Sequence, residues 1–339
     1  MKNNAELVTV APINFSSIYP IQRLLNIEKG NNMESARDKL TRQIVEAEDL
    51  WKLNVVDPKG YECWGCGIDM APRSWRKENK LRPNFSKYPN QSHAENCDAD
   101  AEEKIINQGI GKKQSIKDKL ENTPGLSPSG LVLIEKREHV GDSVNPNSKK
   151  TSSSVNTNSK NQDLNHDLNK KSRRAANTIR PICRAFVNFP YDRNMSLNVP
   201  EVSGYNYMTI FKKIENNAIK KYNEKKIFYS PLQWNKIIHN DELLIIPLTA
   251  GIWTDNKPER TYKIHIDWST WSQAKKTMLL NELEAAQDEA KQAKKENKKD
   301  KAWVFFIGEQ DEENDDIFYL KDQRLICSIV GHIIYPLRK

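Results

Sequence analysis

Four residues in one short stretch have the types and the spacing to hold a metal ion: Cys63, Cys66, His93 and Cys97. They read as Cys-x2-Cys, a spacer of 26 residues, then His-x3-Cys. Two cysteines so close can grip one ion from a tight turn, and the distant His/Cys pair completes a tetrahedral set of the kind that structural zinc prefers. The first pair sits in Tyr61-Glu62-Cys63-Trp64-Gly65-Cys66-Gly67, where the glycines allow the positive φ angles such a turn needs. Of 5 cysteines in 339 residues, three are in this segment. The competing readings are ordinary buried thiols, or a redox pair of Cys63 and Cys66. A redox pair normally opens a helix in a βαβ setting, and no such pattern surrounds this one.

Around these ligands run Cys63-Trp64-Gly65-Cys66-Gly67, then Lys80-Leu81-Arg82-Pro83-Asn84-Phe85-Ser86, then His93-Ala94-Glu95-Asn96-Cys97. Over about residues 61–106 this resembles the N-terminal zinc finger of competence CoiA-like proteins. The resemblance implies a structural Zn2+ module in a prokaryotic nucleic-acid setting. Asn84 and Lys87 stand where that family has two histidines, so either His93 supplies the nitrogen ligand here or the site has only three protein ligands. The family's nuclease domain has no counterpart downstream, and nuclease activity does not carry over.

Basic and aromatic residues interleave beside the cysteine turn. Arg73, Trp75, Arg76, Lys80 and Arg82 are the candidate nucleic-acid contacts. Lys and Arg neutralise phosphates, while aromatic faces stack on unpaired bases. The pairing favours single-stranded or structured DNA or RNA, since no helix-turn-helix pattern suggests reading of a major groove. The plain alternative is that Trp64 and Trp75 cover a small core. A second basic and aromatic run extends from Lys212 to Trp271.

Carboxylates suit catalysis less well. Asp98, Asp100, Glu102 and Glu103 loosely suggest a metal-dependent nuclease set, and Glu135 ends an apolar run at 131–134. The first group reads better as a solvated helix face, and a lone carboxylate cannot hold two Mg2+ ions. No phosphate loop, dinucleotide fingerprint, nucleophile elbow or zincin motif occurs. The leading expectation is therefore a zinc-containing nucleic-acid-binding protein, with a defence or mobile-element role suiting the resemblance and the Asn/Lys/Ile-rich composition. The rivals are a metal-dependent nuclease and a protein-interaction adaptor.

The elements that must position these residues predict an α+β chain. Residues 1–32 read as a loose arm, 33–141 as a helical and zinc-ribbon module, 142–178 as a disordered linker, and 179–339 as a mixed α+β domain that could curl into an OB-like barrel. Within the module, 33–53 shows helical spacing at Ala36, Leu40, Ile44, Ala47 and Leu50, and 100–120 reads as a second helix. In the domain, 182–189 reads as a strand and 207–222 as a helix, with a turn or two of helix over 232–238. Strands follow over 227–229, 243–248 and 262–268, a long helix over 270–299, then strands over 303–307, 317–320 and 325–334. The second half of the long helix shows little apolar face, and the 270–299 helix is a candidate protein-docking surface. Lys and Arg outnumber Asp and Glu by 53 to 45, a balance that favours a polyanionic partner. The absence of a disulfide framework and of any long apolar run predicts a cytoplasmic protein with no membrane partner.

Overall fold

The computed structural model describes residues 33–133 and 175–336, apart from 77, 78, 80, 96, 124 and 256. The expected arm at 1–32 lies outside these residues, as do 142–174 of the expected linker, Lys80 and Glu135. The chain is α+β, as its pattern predicts, with several mixed and antiparallel sheets.

The metal-binding segment belongs to a five-stranded antiparallel sheet. Its strands are β1 (Ser35–Asp38), β2 (Ile44–Glu46), β3 (Tyr61–Glu62), β4 (Asp69–Arg73) and β5 (Asn84–Lys87), in the order β2-β1-β3-β4-β5. Residues 33–53 therefore form a hairpin and a short 3-10 helix (Ala47–Lys52), not the expected α-helix. The Asp38 carboxylate accepts the amides of Leu40 and Thr41, which bends the chain back on itself. Leu40, needed for the helical stripe, is 92 % exposed, while Ala36, Ala47 and Leu50 are buried.

Helices α1 (Asp98–Lys112) and α2 (Lys117–Asn122) follow. The single helix expected over 100–120 breaks where Asp192 accepts the amide of Ile116, after Lys113 adopts a left-handed conformation. Strands β6 (Gly130–Leu131) and β7 (Ala175–Ala176) pair in parallel, so 175–178 is ordered and not linker. Of residues 182–189, expected as a strand, 182–188 are helix, within α3 (Ile179–Asn188), and Phe189 caps its end. Ile179, Ile182, Cys183 and Phe186 are buried at helical spacing, and Pro181 sits in the first turn where it is tolerated. The helix expected over 207–222 is one turn, α4 (Tyr207–Ile210), capped reciprocally by Asn206 and Thr209. It leads into β8 (Phe211–Lys213).

The remaining strands are β9 (Ile227–Pro231), β10 (Ile238–His239), β11 (Leu243–Thr254), β12 (Lys257–Asp267), β13 (Lys301–Phe306), β14 (Glu309–Gln310), β15 (Ile317–Leu320) and β16 (Ile326–Gly331). They make two sheets, β10-β11-β12-β15-β14 and β16-β13-β9-β8. The turn of helix expected over 232–238 is extended chain, with Leu232 bridged to Leu248. Helix α5 (Gln273–Lys295) packs Leu279, Leu283, Ala286 and Ala290 into the core between the sheets.

Two expectations fail on packing. Ile105, Ile116, Leu120, Leu126 and Leu131 lie in one core with Ile182, Phe186, Phe211 and Phe305, so the division between 33–141 and 179–339 does not separate two cores. Helix α5 is not a free docking arm, because its second half also buries Ala285, Gln287, Ala290 and Ala293.

Candidate metal centre and its surroundings

The cysteine turn is built by backbone geometry. The Cys63 amide donates to Ile68 O at 2.7 Å and the Gly67 amide to Cys63 O at 2.9 Å. Gly67 takes φ of 78°, a left-handed angle. At Gly65 a Cβ would lie 2.9 Å from Cys97 Sγ, so only glycine lets the second ligand pair approach. Cys97 stands at the N-terminal boundary of α1, where the free amide ends favour negative charge on sulfur.

All four expected ligands come together. Their ligand atoms lie within 4.8 Å of one another, and among the described residues they form the one group of three or more suited to a metal. Cys63 Sγ is 3.6 Å from Cys97 Sγ, and His93 Nδ1 is 3.4 Å from Cys66 Sγ and 3.5 Å from Cys97 Sγ. A tetrahedral ion at ordinary zinc bond lengths sets roughly 3.8 Å between sulfurs and roughly 3.5 Å between sulfur and nitrogen. The set therefore fits a metal without rearrangement. Its thiols are unequal. Burial, opposed by nearby amides and reinforced by Cys97, pushes Cys63 up to about 12. Burial also raises Cys66, but the amides of Ile68 and Ala94 and the His93 ring outweigh it and bring Cys66 down to about 6. A divalent cation among the four atoms would supply the positive charge that makes every thiol a thiolate.

The candidate nucleic-acid contacts separate into two groups. Arg73 and Arg76 are exposed. Arg73 donates to Ser86 Oγ at 3.0 Å, and the Arg76 guanidinium lies 5.9 Å from the centre of the Trp75 ring. Trp75 is half-buried against the small core of the metal module. Arg82 must be withdrawn as a phosphate contact. It pairs with Glu48 at 3.0 Å and Glu289 at 3.2 Å, and donates to Ser328 O at 3.2 Å.

Arg82 belongs to a buried seam that fastens the metal module to the rest of the chain. Glu48 accepts from Arg82 and, at 3.2 Å, from Arg180. Arg180 also pairs with Glu282, which takes the Ser328 amide on its other oxygen. Arg184 pairs with Glu34 and, at 2.9 Å, with Glu46. Burial pushes Glu48 up, but Arg180, Arg82 and Arg184 outweigh it and hold the carboxyl at about 2. Sequence reasoning missed this seam. One signal was present: Glu282 falls among Leu279, Leu283 and Ala286 on the buried stripe of α5.

Beside the seam opens a cleft of about 910 Å³, lined among others by Glu46, Trp64, Glu102, Arg184 and Trp271. Of the suspected nuclease carboxylates, only Glu102 has a described side chain, and it faces Arg184. Burial, with Glu34 and Glu46 nearby, pushes it up to about 7 against the pull of Arg184. A carboxyl held near neutrality beside an arginine is a poor ligand for a divalent ion. In the second basic run, Lys220 pairs with Glu215, Lys221 with Asp315, Lys225 with Glu201 and Lys226 with Glu224. Phe228, Tyr229 and Trp268 there are buried.

Comparison of the chain with protein-family models, with curated proteins and with solved structures finds no match in any of the three. Among the described residues no helix is long and apolar enough to cross a membrane.

Proposed function

We propose that this chain is a zinc-containing protein that binds single-stranded nucleic acid, with the zinc module fastened onto an OB-like barrel. The observation that carries the reading is the circuit of strand pairing. Strand β9 touches β11 through the Leu232–Leu248 bridge, and β11 pairs with β12. Strand β12 pairs in parallel with β15. The chain then runs through a short 3-10 turn into β16, which pairs antiparallel with β13, and β13 returns to β9. Taken as one bent strand, β15 and β16 complete a five-member ring with a helix between its third and fourth members. That order supports the OB reading, an arrangement whose outer surface and loops take up oligonucleotides. The sulfur and nitrogen spacings support zinc as the ion, and the all-protein set of four supports a structural role.

Charge supports a local contact and not a global field. Residues 33–133 hold 16 Lys and Arg against 16 Asp and Glu, and residues 175–336 hold 23 against 22. Steering by net charge is therefore weak over this body, and affinity must come from particular cations such as Arg73 and Arg76. The test is fluorescence anisotropy with labelled 15-mers of thymidine and of uridine over a range of KCl concentrations. Salt-sensitive binding is expected, with no loss of probe length when Mg2+ is added. Replacing Arg73 and Arg76 by Ala should flatten the dependence of log affinity on log salt, by about one for each phosphate no longer neutralised. Wild-type protein that ignores both oligomers at the lowest salt ends the reading.

A further inference from the structure

Six arginines are buried or half-buried in the described body, Arg37 and Arg324 each beside a carboxylate of their own, and one of the six differs from the rest. Arg82, Arg180 and Arg184 each pair with two glutamates. Arg193 is 9 % exposed and pairs with no carboxylate among the described residues. Its Nε donates to Phe186 O at 3.0 Å and its Nη1 to Ile334 O at 2.9 Å, while its buried Nη2 has no hydrogen-bond partner among the described residues. The guanidinium lies 3.9 Å from the centre of the Phe186 ring, a stacking contact that eases the burial without neutralising the charge. Burial lowers its pKa to about 10, and the ionisable groups beside it are the Tyr229 and Tyr335 hydroxyls. A buried cation with no counter-charge is expensive, and folds keep one where an anion completes it.

The surroundings point the same way. Tyr229 is buried, and its hydroxyl lies 3.2 Å from that of Tyr335, which is 52 % exposed. Lys213 stands opposite Tyr229 in the pairing of β8 with β9. Its ammonium is 5.7 Å from the centre of Tyr335 and 5.9 Å from that of Trp303. Trp303 is held by its Nε1–H donating to Gly331 O at 3.0 Å. Lys213 is exposed and forms no ion pair among the described residues, unlike Lys212, Lys220, Lys225 and Lys226 around it. Two cations, two phenol hydroxyls and an exposed ring thus meet where no described carboxylate intrudes.

We propose that Lys213, Tyr335 and Arg193 bind a phosphodiester of single-stranded nucleic acid: Lys213 Nζ and Tyr335 Oη meet the phosphate oxygens, Arg193 adds charge from beneath, and the Tyr335 ring stacks on the adjoining base. This site rests on the nucleic-acid reading above but lies apart from Arg73 and Arg76. Lys and phenol contacts fix the backbone without reading sequence, and a stacked ring accepts any base. Preference among thymidine and uridine oligomers is therefore expected to be slight.

The experiment uses the full zinc-loaded chain and the same labelled thymidine and uridine 15-mers, with three variants. Lys213→Glu should weaken binding about tenfold at low salt and reduce the salt slope by about one. Tyr335→Ala should weaken it about five- to a hundredfold with the slope nearly unchanged. Arg193→Lys keeps the charge but loses the fork and should weaken binding at an unchanged slope. Both Lys213 and Tyr335 are surface residues, so their variants decide the matter if Arg193→Lys does not fold. Wild-type binding that Lys213→Glu and Tyr335→Ala leave within twofold overturns this site while the nucleic-acid reading stands. Wild-type protein that binds neither oligomer removes both.

Discussion

The metal cluster and the glutamate–arginine seam both take polar groups out of water, and they do so by opposite means. In the cluster four neutral or weakly acidic groups surround a point where one cation can sit, and they come from a single stretch of 35 residues. In the seam the charges are already balanced side chain against side chain, and they come from positions as far apart as Glu34 and Glu289. An ion held there would lend the cluster its strength, and a chelator would withdraw it. The seam's strength is fixed by geometry and can be withdrawn only by mutation or by extreme pH.

The sharpest way to break that contrast is to remove the ion. Cys63 and Cys97 are buried, and the strands that hold the cluster are short. Folding of so small a sheet around a bound metal would be coupled to it, an effect worth about 10–16 kcal/mol in isolated zinc modules. Cys63→Ser or Cys97→Ser should abolish a one-to-one zinc content and expose the module to protease, as metal analysis and limited proteolysis would reveal. The two sheets around α5 keep their own core, so circular dichroism should lose only part of its strand signal. A folded, protease-resistant variant without metal would show that the cluster does no structural work.

Breaking the seam comes next in size. Glu282→Ala leaves Arg180 buried with one partner fewer and the Ser328 amide without its acceptor. Removing one member of a buried pair typically costs about 3–5 kcal/mol. Urea unfolding should show a lower midpoint, while zinc content stays near one per chain. Glu282→Gln retains an acceptor for the amide and should cost less than Glu282→Ala. Equal losses in the two would locate the energy in the carboxylate charge instead of in packing and the amide's acceptor.

These two regions differ equally in how far the sequence exposes them. The metal ligands are legible because cysteines are rare and their spacing is local. The seam is not, because Glu48 and Arg180 look like any surface charges until the fold brings them within 3.2 Å. The same non-locality explains the misread elements. Residues 33–53 have helical spacing over too few turns to outweigh the Asp38 turn and the pairing of β1 with β3. Residues 182–189 are apolar enough for a strand, yet the buried set at 179, 182, 183 and 186 reveals its period once the start of the helix is placed correctly. Helix α5 is legible because its pattern persists over many residues, whereas of the long strands β11 and β12 only the apolar run at 243–248 and the alternation from 262 are legible.

A smaller effect separates two carboxylates that share Arg184 as a neighbour, and it sharpens the comparison by pH. Glu48 is held at about 2 by Arg180, Arg82 and Arg184 despite burial. Its folded pKa lies below the ordinary value of 4.5, so its contribution to stability is full above 4.5 and drains away as pH falls toward 2. Glu102 does the reverse. Burial and the nearby Glu34 and Glu46 outweigh Arg184 and raise it to about 7. Between 4.5 and about 7 the folded state holds a proton that the unfolded state has lost, so stability falls as pH rises through that window. Glu102→Gln mimics the protonated form and should flatten this decline while leaving the loss below pH 4.5 in place. The check is a set of urea midpoints for wild type and Glu102→Gln from pH 4 to pH 8. If the two curves stay parallel, the Glu102 carboxyl is ionised in the folded protein and the cleft beside Arg184 is wetter than its lining suggests.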